Sequence, residues 1–119
     1  MARFRLSRLA RADLARILAT SAERWGAEGR RRYAALIAVA MRQVANDPEG
    51  RATRGRDDLL RGVRSFHVRH ARADDLKPKV KKPVHILYYR AVAPGLVEIV
   101  RVLHEHMEPS RLVGEFSEE

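Results

Sequence analysis

The 119 residues predict a two-layer α+β domain, an antiparallel sheet packed against an N-terminal αα-hairpin in the order β-α-α-β-β-β. Three observations predict it. Val84–Val92 (VHILYYRAV) and Val97–Pro109 (VEIVRVLHEHMEP) are rich in β-branched and aromatic residues, apolar on both faces, the pattern of interior strands. Ala93-Pro94-Gly95 between them is a compact turn, which makes the two a hairpin. Ahead of them run two amphipathic helical patterns separated at Gly26; neither is apolar all round, so both need a sheet to lie on.

In chain order, Ala2–Leu6 alternates Phe4 and Leu6 with Arg3 and Arg5, as an edge or two-faced strand would. Ser7 is a good N-cap, because its hydroxyl can accept from the orphan amides of a first helical turn. Leu14, Ile17, Leu18, Ser21 and Trp25 then recur at helical spacing, and Gly26 supplies a left-handed stop. The second helix has its stripe at Tyr33, Leu36, Ile37, Ala40, Met41 and Val44; Pro48 ends it and disfavours helix at Asp47. The short junction makes the two an antiparallel hairpin. Trp25 and Tyr33 lie on these stripes and are expected in the core.

Residues 50–61 are polar and glycine-bearing, a loop. Val63–His70 (VRSFHVRH) reads as a strand pairing with the far side of Val84–Val92. Ala71–Pro83 holds two prolines (Pro78 and Pro83), four lysines and two aspartates, with little to bury, and is expected to be an exposed connection. Val97–Pro109 is expected at the centre of the sheet, and 110–119 as a polar tail. No internal repeat divides residues 1–119, so a single domain is expected.

Composition narrows the function classes. The formal charge is +9, and it is uneven: residues 1–73 hold 17 basic and 7 acidic residues, 74–119 hold 7 and 8. A basic half implies an anionic partner, whether nucleic acid, an anionic surface or an acidic protein. The absence of cysteine excludes disulfides, thiolate nucleophiles and thiolate-bound metal. The charged N-terminus lacks the apolar run of a secretory signal, and no stretch reaches the roughly 20 apolar residues of a membrane span. A soluble, cytoplasmic protein is expected.

Several residues could carry chemistry. His104 and His106 are two apart on a strand, share a face, and titrate near neutrality when unperturbed. As strand-end histidines they are more readily structural, and a His-x-His pair without a third ligand falls short of a metal site; no metal or cofactor is expected. Arg101 within an apolar strand requires a carboxylate, with Glu98 and Asp13 the candidates. Tyr88 and Tyr89 point to opposite faces, so one is expected under the helices and the other free for a partner. Arg30–Arg32 suits a solvated helix face, though the net charge implies some affinity for phosphate.

RADLARI, RWGAEGRRRY, NDPEGR, GVRSFHVRHA, ILYYRAV and VEIVRVLHEHMEP, in that order over residues 3–112, resemble the ParE branch of the RelE/ParE superfamily of type II toxin–antitoxin systems. The connection 71–83 is longer than the turn usual there. The resemblance implies a small toxin neutralised by a cognate antitoxin and poisoning DNA gyrase by binding, without catalysis. A RelE-like ribosome-dependent mRNA endonuclease is the alternative; it would need a base, an acid and cations around the phosphorane, here Arg64, Tyr88, His104 and His106. The expected antitoxin-binding positions are Leu14, Ile17, Leu18, Leu36, Ile37 and Val44, on the expectation that an acidic amphipathic segment covers apolar surface left between helices and sheet. The expected target-binding positions are Arg64, Arg101, His104, His106 and Met107.

Overall fold

The computed structural model describes residues 2–118. β1 (Arg3–Leu6) leads into α1 (Arg8–Asn46), followed by β2 (Arg54–Gly55), β3 (Arg64–His67), a 3-10 turn (Val68–His70), β4 (His85–Ala93), β5 (Leu96–His104), α2 (Pro109–Gly114) and a 3-10 turn at Glu115–Glu118. The five strands make one sheet in the order β1-β5-β4-β3-β2.

α1 is two helical arms rather than one rod. A straight helix of 39 residues would be about 58 Å long at 1.5 Å per residue, and the molecule is 37 Å in its longest dimension. The chain folds back at Gly26, whose φ of 76° and ψ of −176° interrupt the helix. Only glycine takes that backbone without cost. Gly29 completes the turn: a Cβ there would lie 2.2 Å from the Trp25 Cβ. Ser7 caps the first arm as expected, its Oγ accepting from Ala10 N at 3.0 Å and donating to Val100 O at 2.8 Å, which ties the start of the helix to the sheet. Ala10 from the first arm and Leu36, Ile37, Ala40, Met41 and Val44 from the second share one core with Phe66, Leu87, Tyr89, Val97, Ile99 and Val102 of the sheet.

The α+β prediction holds, with four corrections in detail. The sheet is mixed: β1 runs parallel to β5, with Arg3 opposite Leu96 and Leu6 opposite Ile99, while the other pairings are antiparallel. β1, separated from the other strands in sequence by the hairpin of helices, occupies the outer side of β5, opposite the edge formed by the two-residue β2. β4 is therefore the middle strand in place of the expected Val97–Pro109, and β5, interior as expected, lies between it and β1. The expected loop 50–61 contains the two-residue strand β2, and Val63–His70 is a strand only to His67.

The fourth correction concerns the tail. Val113 and Phe116 are buried, and with Val63, Tyr88, Val100 and Leu103 they form a second apolar cluster. β4 alternates, so Leu87 and Tyr89 face the helices and Tyr88 faces this cluster. The C-terminal segment thus covers the sheet face that the helices leave bare, with Arg90 stacked 4.7 Å from the centroid of Phe116. The connection 71–83 is exposed at its lysines as expected, but Leu76 and Val80 fold inward onto the main core.

Candidate functional site

The hairpin β4–β5 and the neighbouring β3 all bring one end of the sheet to the same place, and the chain's five histidines gather there. His67 ends β3, His70 follows it, His85 opens β4, His104 closes β5 and His106 lies just beyond. Hydrogen bonds set the tautomers of His67, His85 and His104. His67 Nδ1 accepts from Arg69 N at 3.0 Å, so its Nε2 proton goes to Glu105 Oε2 at 2.6 Å. That hydrogen bond holds the Glu105 carboxyl below the usual carboxylate range. Tyr33 Oη accepts from Val84 N at 3.2 Å and so donates to His85 Nδ1 at 2.6 Å. Burial, reinforced by His104 and His67, lowers His85 to about 4. The imidazole is therefore neutral at pH 7 and part of a fixed bond rather than a free base. His104 stacks edge-on to it at 5.5 Å and accepts from His106 N through Nδ1 at 3.1 Å. Among the described residues no three His, Asp or Glu stand together as metal ligands.

Beside this cluster opens a groove of about 1000 Å³, framed by the first arm of α1, the end of β5 and the connection before β4. Ile17, Trp25, Val80, Val84, Leu103 and Met107 supply apolar walls. Arg16, Arg24, Arg32, Lys79, Lys81 and Lys82 lie around it. Trp25 is 71% exposed and Met107 51%, the two large apolar side chains most open to water among the described residues. The core position expected for Trp25 is corrected: beside the turn at Gly26 the side chain stays in solvent, while Tyr33, on the arm that returns along the sheet, is buried as expected.

The floor of the groove is an ion pair. Arg101 donates from Nε to Asp13 Oδ2 and from Nη2 to Asp13 Oδ1, each at 2.8 Å, and from Nη1 to Leu112 O at 2.8 Å. Asp13 also accepts from Val102 N at 3.0 Å and from Arg16 Nη2 at 2.6 Å. Of the two carboxylates expected for Arg101, Asp13 is the one; Glu98 faces Arg5 and Arg90 instead.

The sequence-derived sets distribute unevenly. Ile17, Arg101, His104 and Met107 come together in the groove. Leu14 and Leu18 are half-buried nearby on the same helical arm. Leu36, Ile37 and Val44 are buried in the core, because the returning arm lies flat on the sheet, and Leu36 also lines a recess beside the connection 71–83. Arg101 is likewise buried and offers a partner no free guanidinium. His106 is exposed and does not line the groove. Arg64 stands apart, donating to Pro48 O at 3.1 Å and Thr53 Oγ1 at 2.9 Å. Tyr88 is 2% exposed under the C-terminal segment, where burial raises its hydroxyl above the usual value although Arg56 opposes this. The expectation that one of Tyr88 and Tyr89 stands free is therefore corrected: Tyr89 donates to Pro48 O beneath the helices, and the tail covers Tyr88. Missed by sequence reasoning were His85, Tyr33 and Trp25 as walls of the groove. Only His85 had a sequence signal, its place at the start of the strand paired with the one ending in His104.

A small two-layer α+β domain with a cation-rimmed apolar groove is the class of protein that the geometry defines. The family described as the ParE toxin of the type II toxin–antitoxin system, parDE, matches residues 4–109, and the chain belongs to it. It is 29% identical over 109 residues to Toxin ParE1 of Mycobacterium tuberculosis, covering 92% of this chain and 95% of that protein. It is 32% identical over 111 residues to Toxin ParE1 of Caulobacter vibrioides, covering 93% and 97%.

Proposed function

We propose that this ParE-family toxin acts by binding DNA gyrase in the cytoplasm and is neutralised by a cognate antitoxin whose acidic, amphipathic segment lies in the groove beside Ile17 and Trp25. The observation that supports binding over chemistry is the placement of the endonuclease set. Arg64 is opposite Tyr89 in the β3–β4 register and lies on the helix face, whereas Tyr88 faces the C-terminal segment. Two side chains on opposite faces of a sheet cannot serve one phosphate. His104 and His106 lie at a third place, the sheet's end. The proposed antitoxin seat is supported by exposed apolar side chains inside a cationic frame, which suits a helix that buries one face and presents carboxylates on the other.

Two assays test this. Purified protein is added to gyrase supercoiling and, separately, to a translation reaction; loss of supercoiling with intact mRNA is expected. Cleaved mRNA with unimpaired supercoiling would replace the gyrase reading by the endonuclease one. For the antitoxin, the reading frame adjacent to this gene is co-expressed with it. Trp25→Ala and Ile17→Glu are expected to weaken neutralisation while leaving the fold intact, and full neutralisation of both variants would place the antitoxin elsewhere.

A further inference from the structure

We infer that the connection between β3 and β4, with the helix face beside it, binds the phosphodiester backbone of double-stranded nucleic acid without reading its sequence. Arg32, Lys79, Lys81 and Lys82 also frame the groove proposed for the antitoxin, so the toxin without its antitoxin is the species that binds. All four lysines of the chain lie in Lys77-Pro78-Lys79-Val80-Lys81-Lys82, whereas the other 20 basic residues are arginine. Leu76 and Val80 pack inward against the core, and the four lysines are exposed. The inward anchors hold the segment against the body, so it displays its charges as a ridge.

Across from the ridge, a recess of about 450 Å³ is walled by Arg31 and Arg32 of α1 and by Arg69 after β3. Asp74 and Asp75 also line it, and Arg31 is taken by Glu28. Among the described residues, Arg32, Arg69 and the four lysines have no carboxylate within 4.0 Å. Arg11, Arg51, Arg54 and Arg61 also lack such a partner among the described residues, so what marks this row is its density, four lysines within six residues, and a charge-matched variant separates it from net charge.

The residue types select the ligand. Lysine is a hydrated point charge on a flexible stem, suited to phosphates at variable positions, where arginine's fork favours a fixed bidentate partner. The recess holds no aromatic side chain on which an unpaired base could stack, and no Asn or Gln that could read a base edge. What remains is contact with a duplex backbone, driven by release of counterions.

The test is fluorescence anisotropy of the full-length protein with a short labelled duplex DNA of arbitrary sequence, between about 50 and 200 mM salt. Binding is expected to weaken steeply with salt, and converting Lys77, Lys79, Lys81 and Lys82 to Gln is expected to reduce the slope of log K against log salt by about 3–4. Removing equal charge elsewhere, as Arg11, Arg51, Arg54 and Arg61 to Gln, should change that slope by less than about 1. Circular dichroism checks the fold. If the quadruple lysine variant unfolds, Lys79→Gln and Lys81→Gln singly should each lower the slope by about 1. Duplex RNA is expected to bind like duplex DNA. Equal losses in the two quadruple variants would reduce the effect to net charge and overturn the site. So would tighter binding of single strands, absence of duplex binding, or a lysine-dependent preference for polyglutamate, the last pointing to an acidic protein instead.

Discussion

Replacing Asp13 by Asn is the sharpest perturbation of this fold. Each carboxylate oxygen receives two donors: Oδ2 takes Arg101 Nε and Val102 N, and Oδ1 takes Arg101 Nη2 and Arg16 Nη2. Whichever oxygen becomes an amide nitrogen would meet two N–H groups head-on. The side chains of Asp13 and Arg101 are 1% and 6% exposed, so water cannot take over. Removing one partner of a buried pair costs about 3–5 kcal/mol; Glu115, 3.6 Å from Arg101 Nη1 but 43% exposed, offsets only part of that cost. Against a total of about 5–15 kcal/mol for a domain of ordinary stability, Asp13→Asn leaves a marginal fold. The expected fall in Tm is about 10–25 °C. Urea titration at neutral pH measures the loss directly, with the slope m unchanged. Adding Arg101→Met removes the stranded charge and is expected to recover a good part of the loss. A cost below about 1 kcal/mol, the value of an exposed ion pair, would refute the reasoning.

Three further outcomes follow from the same geometry. Gly29→Ala should lower stability by about 1–3 kcal/mol through the clash with Trp25 Cβ; alanine's better helix propensity predicts a gain, so a higher Tm would show that the turn relaxes freely. The folded-state value of His85, near 4, lies below its ordinary 6.5. The unfolded chain thus binds the extra proton between these values, and stability present above pH 6.5 is lost as pH falls towards 4; urea midpoints across that window should fall in the wild type and flatten in His85→Asn. Phe116→Ala should cost about 3 kcal/mol by chemical denaturation, since the ring is 7% exposed against Tyr88 and Val100, whereas a solvated tail residue would change stability by less than about 0.5 kcal/mol.

Periodicity made most of the fold legible. Ser7 as cap, Gly26 as break, Pro48 as stop and the Ala93-Pro94-Gly95 turn are local signals, decided by a few neighbouring dihedrals, and the structure uses each of them. The short tail was misread because Leu112, Val113 and Phe116 are few in number; their burial depends on a sheet face that nothing else covers. Trp25 was misread because a place on a helical stripe does not show whether anything packs against it, and beside the turn at Gly26 the side chain stays in solvent. For the site, the histidine pair and Arg101 were visible as unusual residues in an apolar strand. Their partners were not, since Asp13 is 88 residues away from Arg101 and Tyr33 is 52 from His85.

The amino-acid sequence alone determined the α+β class, the order of the main elements, the basic character of residues 1–73 and the likeness to ParE toxins, all properties carried by pattern and composition. Tertiary structure alone decided that β1 joins the sheet in parallel, that Asp13 neutralises Arg101, that five histidines share one end, and that Ile17, Trp25 and Met107 wall a common groove. The physical reason is range: caps, turns and stripes are fixed by interactions within a few residues, whereas register, charge pairing and grooves exist only once segments far apart in the chain are brought into contact.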